Sequence, residues 1–184
     1  RGRSIAAAGP DRSSGGVPLA RRLSVCRLGF ALALVATTAS AAPPACREPG
    51  RFVTRDDTVA DRETGLTWRR CSLDLAWSTA NRCDGELAQL TYGEAEAAAG
   101  KAGPDWRLPT ANDLVTLLTA DCDGLAIDRE IFSDVPISAS GEGSAYWTST
   151  PAGLDDMMIT VDFRYGFPDM HSRGLAYHVR LVHR

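Results

Sequence analysis

Tyr146-Trp147-Thr148-Ser149-Thr150 is the stretch that sets the architecture of this chain. Aromatic and β-branched residues crowd it, as they do residues 157–163 and 175–183 downstream, so all three segments read as strands. A turn-rich segment, residues 164–174, joins the last two. Together they predict a small antiparallel sheet in the C-terminal half. Alternation puts Tyr146, Thr148 and Thr150 on one face of the first strand and Trp147 and Ser149 on the other. In the last strand it opposes Tyr177, Val179 and Leu181 to His178, Arg180 and Val182, the pattern of a half-buried strand.

Upstream of this sheet, Thr91-Tyr92-Gly93-Glu94 is a capping box, which predicts a helix over residues 92–99 that stops at Gly100. Thr110 caps a second helix that starts after Pro109, carries Leu114, Val115, Leu117 and Leu118 on one buried face, and ends near Asp121. Between Cys122 and Tyr146 the turn formers Asp123-Gly124, Ser133-Asp134, Pro136 and 140–144 predict a long loop region, and such loops are usually functional or mobile. Residues 52–59 read as a strand with a turn around Arg55-Asp56-Asp57, and residues 66–69 as a second strand after a turn at Gly65. Strands, two helices, long loops and a final sheet in that order specify an α+β domain, with two helices packed on a small antiparallel sheet and long late loops.

The start of the chain differs in character. Arg21-Arg22, an apolar stretch over 28–36 and Ala39-Ser40-Ala41 follow the three-part layout of a secretory signal peptide. The expected division is disordered upstream sequence, or a start codon assigned too early, over 1–16; a signal peptide over 17–41; a linker over 42–50; and the folded domain over 51–184. The apolar stretch falls short of the roughly 20 residues of a membrane helix, so no membrane span is expected in the mature form. An exported protein, periplasmic or extracellular, follows. Residues 1–41 hold six Arg and one Asp, which leaves 14 Lys+Arg against 22 Asp+Glu and a formal net charge of −8 on the remainder. That field repels nucleic acid and other polyanions, and no nucleic-acid partner is expected.

Cys26 leaves with the signal. Cys46, Cys71, Cys83 and Cys122 remain, an even number in an oxidising compartment, and two disulfides are the simplest account. Spacing alone leaves three connectivities open; the short Cys71 to Cys83 interval reads as a closed loop, which leaves Cys46 for Cys122. Zinc is the competing use, but there is no Cys-x-x-Cys pair and no His before position 171.

Five blocks in order, Thr64-Gly65-Leu66-Thr67-Trp68, Asp105-Trp106-Arg107-Leu108-Pro109-Thr110, 146–150, Val161-Asp162-Phe163 and Tyr177-His178-Val179-Arg180-Leu181-Val182, resemble the Lcl C-terminal domain family, secreted bacterial modules grouped with the C-type-lectin-like fold. The resemblance covers residues 51–182. It implies a lectin-like domain with helices early, irregular loops late and terminal strands brought together. It also implies a Trp-x-x-Cys then Cys loop, here Trp68, Cys71 and Cys83, and an N-terminal Cys46 stapled to the middle of the domain.

Residues 164–173 gather arginines, aromatics and a histidine, the mixture favoured at recognition surfaces. Arg164, Tyr165, Phe167, His171 and Arg173 are the candidate ligand contacts, with Tyr146 as a hydroxyl-bearing aromatic. Arg107 reads as an internal partner for a carboxylate, with Trp106 and Leu108 in the core. The loop acids Asp134, Glu142, Asp155, Asp156 and Asp169 could offer oxygen to calcium. The Glu-Pro-Asn and Trp-Asn-Asp signatures of calcium-dependent sugar binders are nevertheless absent, the resemblance does not imply calcium, and no cofactor is expected. No Gly-x-Ser-x-Gly elbow occurs, and no catalytic residue or metal ligand is assigned. The expectation is a secreted, disulfide-stabilised, lectin-like module for a glycan or cell-surface protein. The alternatives are a hydrolase with a C-terminal His/Asp site and an assembly component that binds a protein partner through the 165–173 tip. The sequence does not set an oligomeric state.

Overall fold

A computed structural model describes Cys46 and residues 49–120, 122–137 and 143–184. The expected upstream segment, export signal and most of the linker lie outside the described residues, as do Asp121 and Glu142. In chain order the elements are β1 Phe52–Arg55, β2 Thr58–Asp61, β3 Thr67–Arg69, β4 Leu75–Trp77, β5 Cys83–Gly85, α1 Tyr92–Lys101, α2 Ala111–Val115, β6 Ala145–Pro151, β7 Met157–Asp162, β8 Phe167–Ser172 and β9 Val182–His183. They form three antiparallel sheets, ordered β1-β2-β3-β9, β4-β5 and β6-β7-β8, with the two helices between them in sequence. This is the α+β class.

Local chemistry explains the element ends. Asp56 makes the β1–β2 turn at φ 45°, a conformation that Asp tolerates better than most residues. The expected capping box at Thr91 forms, with Glu94 accepting from the Thr91 amide at 2.9 Å, and the expected Thr110 cap proves to be a capping box too, with Asp113 accepting from the Thr110 amide at 2.8 Å. The first helix runs through Gly100 to Lys101, whereas the second is shorter than expected and ends at Val115. Leu114 and Leu117 are buried as predicted, but Val115 is 40% exposed, because the chain leaves the helix before its stripe is complete.

Two expectations are corrected in the C-terminal half. Residues 164–174 are no mere connection, since they contain the strand β8, paired along its whole length with β7. Gly166, Pro168 and Asp169 disguise it, yet β8 is an edge strand, where proline is tolerated. Residues 175–183 are not one half-buried strand: Tyr177 bridges Leu90, His178 bridges Tyr146, and Val182 pairs with both Arg107 and Trp68. His178 to Val182 are all buried, so this stretch threads the core rather than covering it.

Two apolar clusters flank the β6–β8 sheet. Trp68, Leu114, Phe132, Tyr146, Val161 and Phe163 belong to one; Tyr92, Ala95, Leu108, Trp147, Val179 and Leu181 belong to the other. Adjacent residues Tyr146 and Trp147 thus enter opposite clusters, each fully buried. Complete burial of such a side chain stabilises by about 1.5–3 kcal/mol. The described part of the expected late loop is core as well: Leu125, Ile127, Ile131, Phe132 and Val135 are buried without regular secondary structure.

Both disulfides form as expected, Cys71–Cys83 with Cα atoms 5.6 Å apart and Cys46–Cys122 with Cα atoms 5.3 Å apart. The first encloses the β4–β5 hairpin, and the second ties the entrance of the domain to the segment beyond α2.

Candidate functional site

The β7–β8 register builds the site. Asp162 opposes Phe167, Thr160 opposes Asp169, and Met158 opposes His171, so these side chains share one face of the sheet. Ala145, opposite Asp162, extends that face onto β6. At one end, Trp147 and Met158 are sealed beneath Tyr92 and Val179. At the other end the face stays open and forms a cleft of about 530 Å³, closed on its far side by Gln89 and residues 175–177. That far wall is tied down, since Leu90 exchanges backbone hydrogen bonds of 2.8 and 2.9 Å with Tyr177, and the Trp147 indole donates to the Leu90 carbonyl at 2.7 Å.

The hairpin tip is shaped by its own polar atoms. Asp162 Oδ1 accepts from the amides of Arg164 at 2.6 Å and Tyr165 at 3.1 Å, which bends the chain back. Gly166 then takes φ 71°, and a Cβ added there would come within 3.0 Å of Ala126 Cβ. Both facts favour glycine. The result is a stacked pair, Tyr165 on Phe167, with centroids 6.0 Å apart and planes at 30°. Tyr165 is 56% exposed and Phe167 47%.

His171 is oriented rather than mobile. Its Nδ1 lies 3.0 Å from the buried Thr160 hydroxyl, its ring sits 4.6 Å from Tyr177, and its Nε2 is 3.9 Å from Asp169 Oδ2. A ring held on three sides presents a fixed polar edge to a ligand.

Of the sequence-predicted contacts, Tyr165, Phe167 and His171 meet in this cleft. Arg164 lies at the tip with its guanidinium 5.7 Å from the Tyr165 centroid and does not line the cleft. Arg173 turns to α1, 4.5 Å over Tyr92 and 3.2 Å from Glu96. Tyr146 is corrected outright: it is fully buried, so no ligand reaches it. Its hydroxyl lies 2.8 Å from Ser72 Oγ, and burial pushes its pKa up to about 12. Sequence reading missed Gln89, Asp162, Asp169 as a cleft acid, and Tyr177. Two-residue alternation through 167–171 would have joined Asp169 to Phe167 and His171 had β8 been recognised. Tyr177 and Gln89 arrive only through tertiary pairing.

The other candidates serve the scaffold. Arg107 pairs with Asp113 at 2.9 Å, and Leu108 is buried with Trp106 packed alongside. His178 bonds the Ala88 carbonyl at 2.8 Å, with its pKa lowered by burial, while His183 packs edge-on against Trp106. Asp134 is held by Arg180, and Asp156 accepts from the Ser172 hydroxyl at 3.1 Å. Among the described residues no group of three or more His, Cys, Asp or Glu is placed so that it could hold a metal ion. A second cavity of about 510 Å³, walled by Leu73, Leu75, Trp77 and Leu181, adjoins the Cys71–Cys83 loop.

No curated protein matches this chain in sequence. The family comparison does match, over residues 57–183, a span that holds β2 through β9 and every residue of the cleft. The chain belongs to the Lcl C-terminal domain family.

Proposed function

We propose that this chain is an exported, lectin-like binding module that takes a carbohydrate in the cleft beside the β7–β8 hairpin. The observation that carries this reading is the stacked, half-exposed Tyr165–Phe167 pair on a cleft whose described lining also includes Asp162, Asp169, His171 and Gln89. A sugar ring has apolar C–H faces and a hydroxyl rim. Aromatic faces suit the former, and carboxylate, imidazole and amide groups accept from or donate to the latter. The Asp162 turn, Gly166 and the Thr160–His171 contact hold these groups before a ligand arrives, which lowers the entropic cost of binding.

Binding is better supported than hydrolysis. Among the described residues neither Ser nor Cys lines the cleft, and the hydroxyl hydrogen-bonded to His171, that of Thr160, belongs to a fully buried residue and serves as its anchor. Export is supported by the two disulfides, which persist in oxidising compartments. Among the described residues, no helix is long and apolar enough to cross a membrane. A protein partner is the second reading, favoured by Met170, 46% exposed on the opposite face of β8, and Leu175, 49% exposed. The deciding experiment is a glycan array probed with calcium and with chelator, by the protein and by Phe167→Ala. A specific signal lost in the variant supports the cleft; a blank in every condition transfers the weight to a protein partner.

A further inference from the structure

We infer that the sugar selected by this cleft carries a free amine. The inference rests on the carbohydrate reading above and adds a charge to it. Among the described residues the cleft lining holds two carboxylates, Asp162 and Asp169, and neither Lys nor Arg. The nearby arginines are directed elsewhere, Arg164 to the Tyr165 ring and Arg173 to Tyr92 and Glu96. His171 is the remaining titratable nitrogen on the wall, and its Nε2 faces Asp169.

The register fixes how the two acids are disposed. Phe167 opposes Asp162, so Asp169, two residues further along β8, is the diagonal neighbour of Asp162 on the same face. Such diagonal positions lie about 7–8 Å apart, near enough for both acids to act on one ammonium in the cleft. Among the described residues no Lys or Arg lies at ion-pair distance from either carboxylate, and the one imidazole nearby, His171, has its Nε2 3.9 Å from Asp169 Oδ2; Asp162 Oδ1 accepts backbone amides of the turn, and Asp169 Oδ1 accepts the Met170 amide at 2.7 Å. The faces of Tyr165 and Phe167 attract a cation as well. An N-acetyl group would forfeit these attractions, and a uronate or sulfate would meet repulsion from the same two acids and from the acidic domain around them.

The test uses the full chain and three matched oligosaccharides, a glucosamine tetramer, an N-acetylglucosamine tetramer and a galacturonate tetramer, titrated calorimetrically at mildly acidic pH where the sugar amine is protonated. The glucosamine tetramer binds about tenfold more tightly than the acetylated one, the galacturonate gives no heat, and added salt narrows the gap. Asp162→Asn and Asp169→Asn keep the Oδ1 acceptors but remove the charges, and each erases most of the preference while binding of the acetylated tetramer persists. Equal affinity for the amine and acetylated forms overturns the charge selection and leaves carbohydrate binding standing. An amine preference unchanged in both Asn variants assigns it to the general acidic surface and also overturns the inference. Failure of all three saccharides, beside a blank array, removes the carbohydrate reading itself.

Discussion

Arg180 and Asp134 form an ion pair 2.7 Å long with both side chains withdrawn from solvent. Arg180 also donates to Ser72 Oγ at 3.0 Å and to the carbonyls of Arg69 and Arg70, while Asp134 accepts from the Ser72 amide at 2.6 Å. The guanidinium lies 4.9 Å from Phe132 and 5.7 Å from Tyr146. One buried cation thereby connects the last segment, the long loop, the Cys71–Cys83 loop and β6. Removing one member strands the other, so Asp134→Ala should destabilise by about 3–5 kcal/mol in denaturant unfolding. Tyr146→Phe, which deletes the hydroxyl contacts to Ser72 and Arg180 but strands no charge, should cost only about 1–2 kcal/mol and leave ligand binding unchanged.

Acid should unfold the domain through the same acids. Burial alone would raise the Asp134 pKa, but the Arg180 charge and the Ser72 bonds outweigh it and hold the group below the ordinary 3.8. Asp61, against burial, is lowered by Arg51, Glu63 and Thr64, and Asp113, against burial, by Thr110 and Arg107. A depressed folded pKa contributes stability above the unfolded value, lost as pH falls through the folded one. Melting temperature should therefore be flat above pH of about 5 and fall steeply below about 4. In Asp134→Asn that acid-side fall should be shallower, which a pH series of thermal melts would measure.

Cys71–Cys83 closes a loop with a sequence separation of 12. Replacing both with Ser should lower stability by about 2–5 kcal/mol, largely by freeing the unfolded chain. An unchanged melting temperature would refute that contribution.

The hairpin tip should separate binding from folding. Tyr165→Ala and Phe167→Ala each remove a half-exposed ring, so stability should move by less than about 0.5 kcal/mol. Affinity for any glycan hit should fall about tenfold or more. Gly166→Ala, which combines φ 71° with the close approach to Ala126, should weaken binding by shifting the tip without touching the ligand. Direct titration beside a thermal melt distinguishes the two effects.

The elements legible in the sequence were those whose signals are local. Thr91-Glu94 marks one helix start through side chains three residues apart, Thr110 before an apolar stripe marks the other, and the Cys71–Cys83 interval announces its own closure. β8 was hidden because Gly166 and Pro168 carry the chemistry of turns, and only its place at a sheet edge makes them acceptable. Tyr146 misleads for a related reason: alternation identifies two faces but cannot say that both are covered, and here each meets its own core. Arg180 looked like the polar side of a strand because its partner, Asp134, lies 46 residues earlier. The cleft follows the same rule, with the Tyr165–Phe167–His171 wall readable from one segment and the Gln89–Tyr177 wall readable only from the fold.

The Cys46–Cys122 bond has a mechanical consequence. β1 is the outer strand of its sheet, and an outer strand pulled from its free end unzips one hydrogen bond at a time. Tension entering upstream of residue 46 passes instead through the covalent link into the segment after α2, so the pull bypasses β1. Traction at the opposite terminus meets only the short strand β9, held by hydrogen bonds to β3 and Arg107. The domain is reinforced against being towed by its N-terminal end.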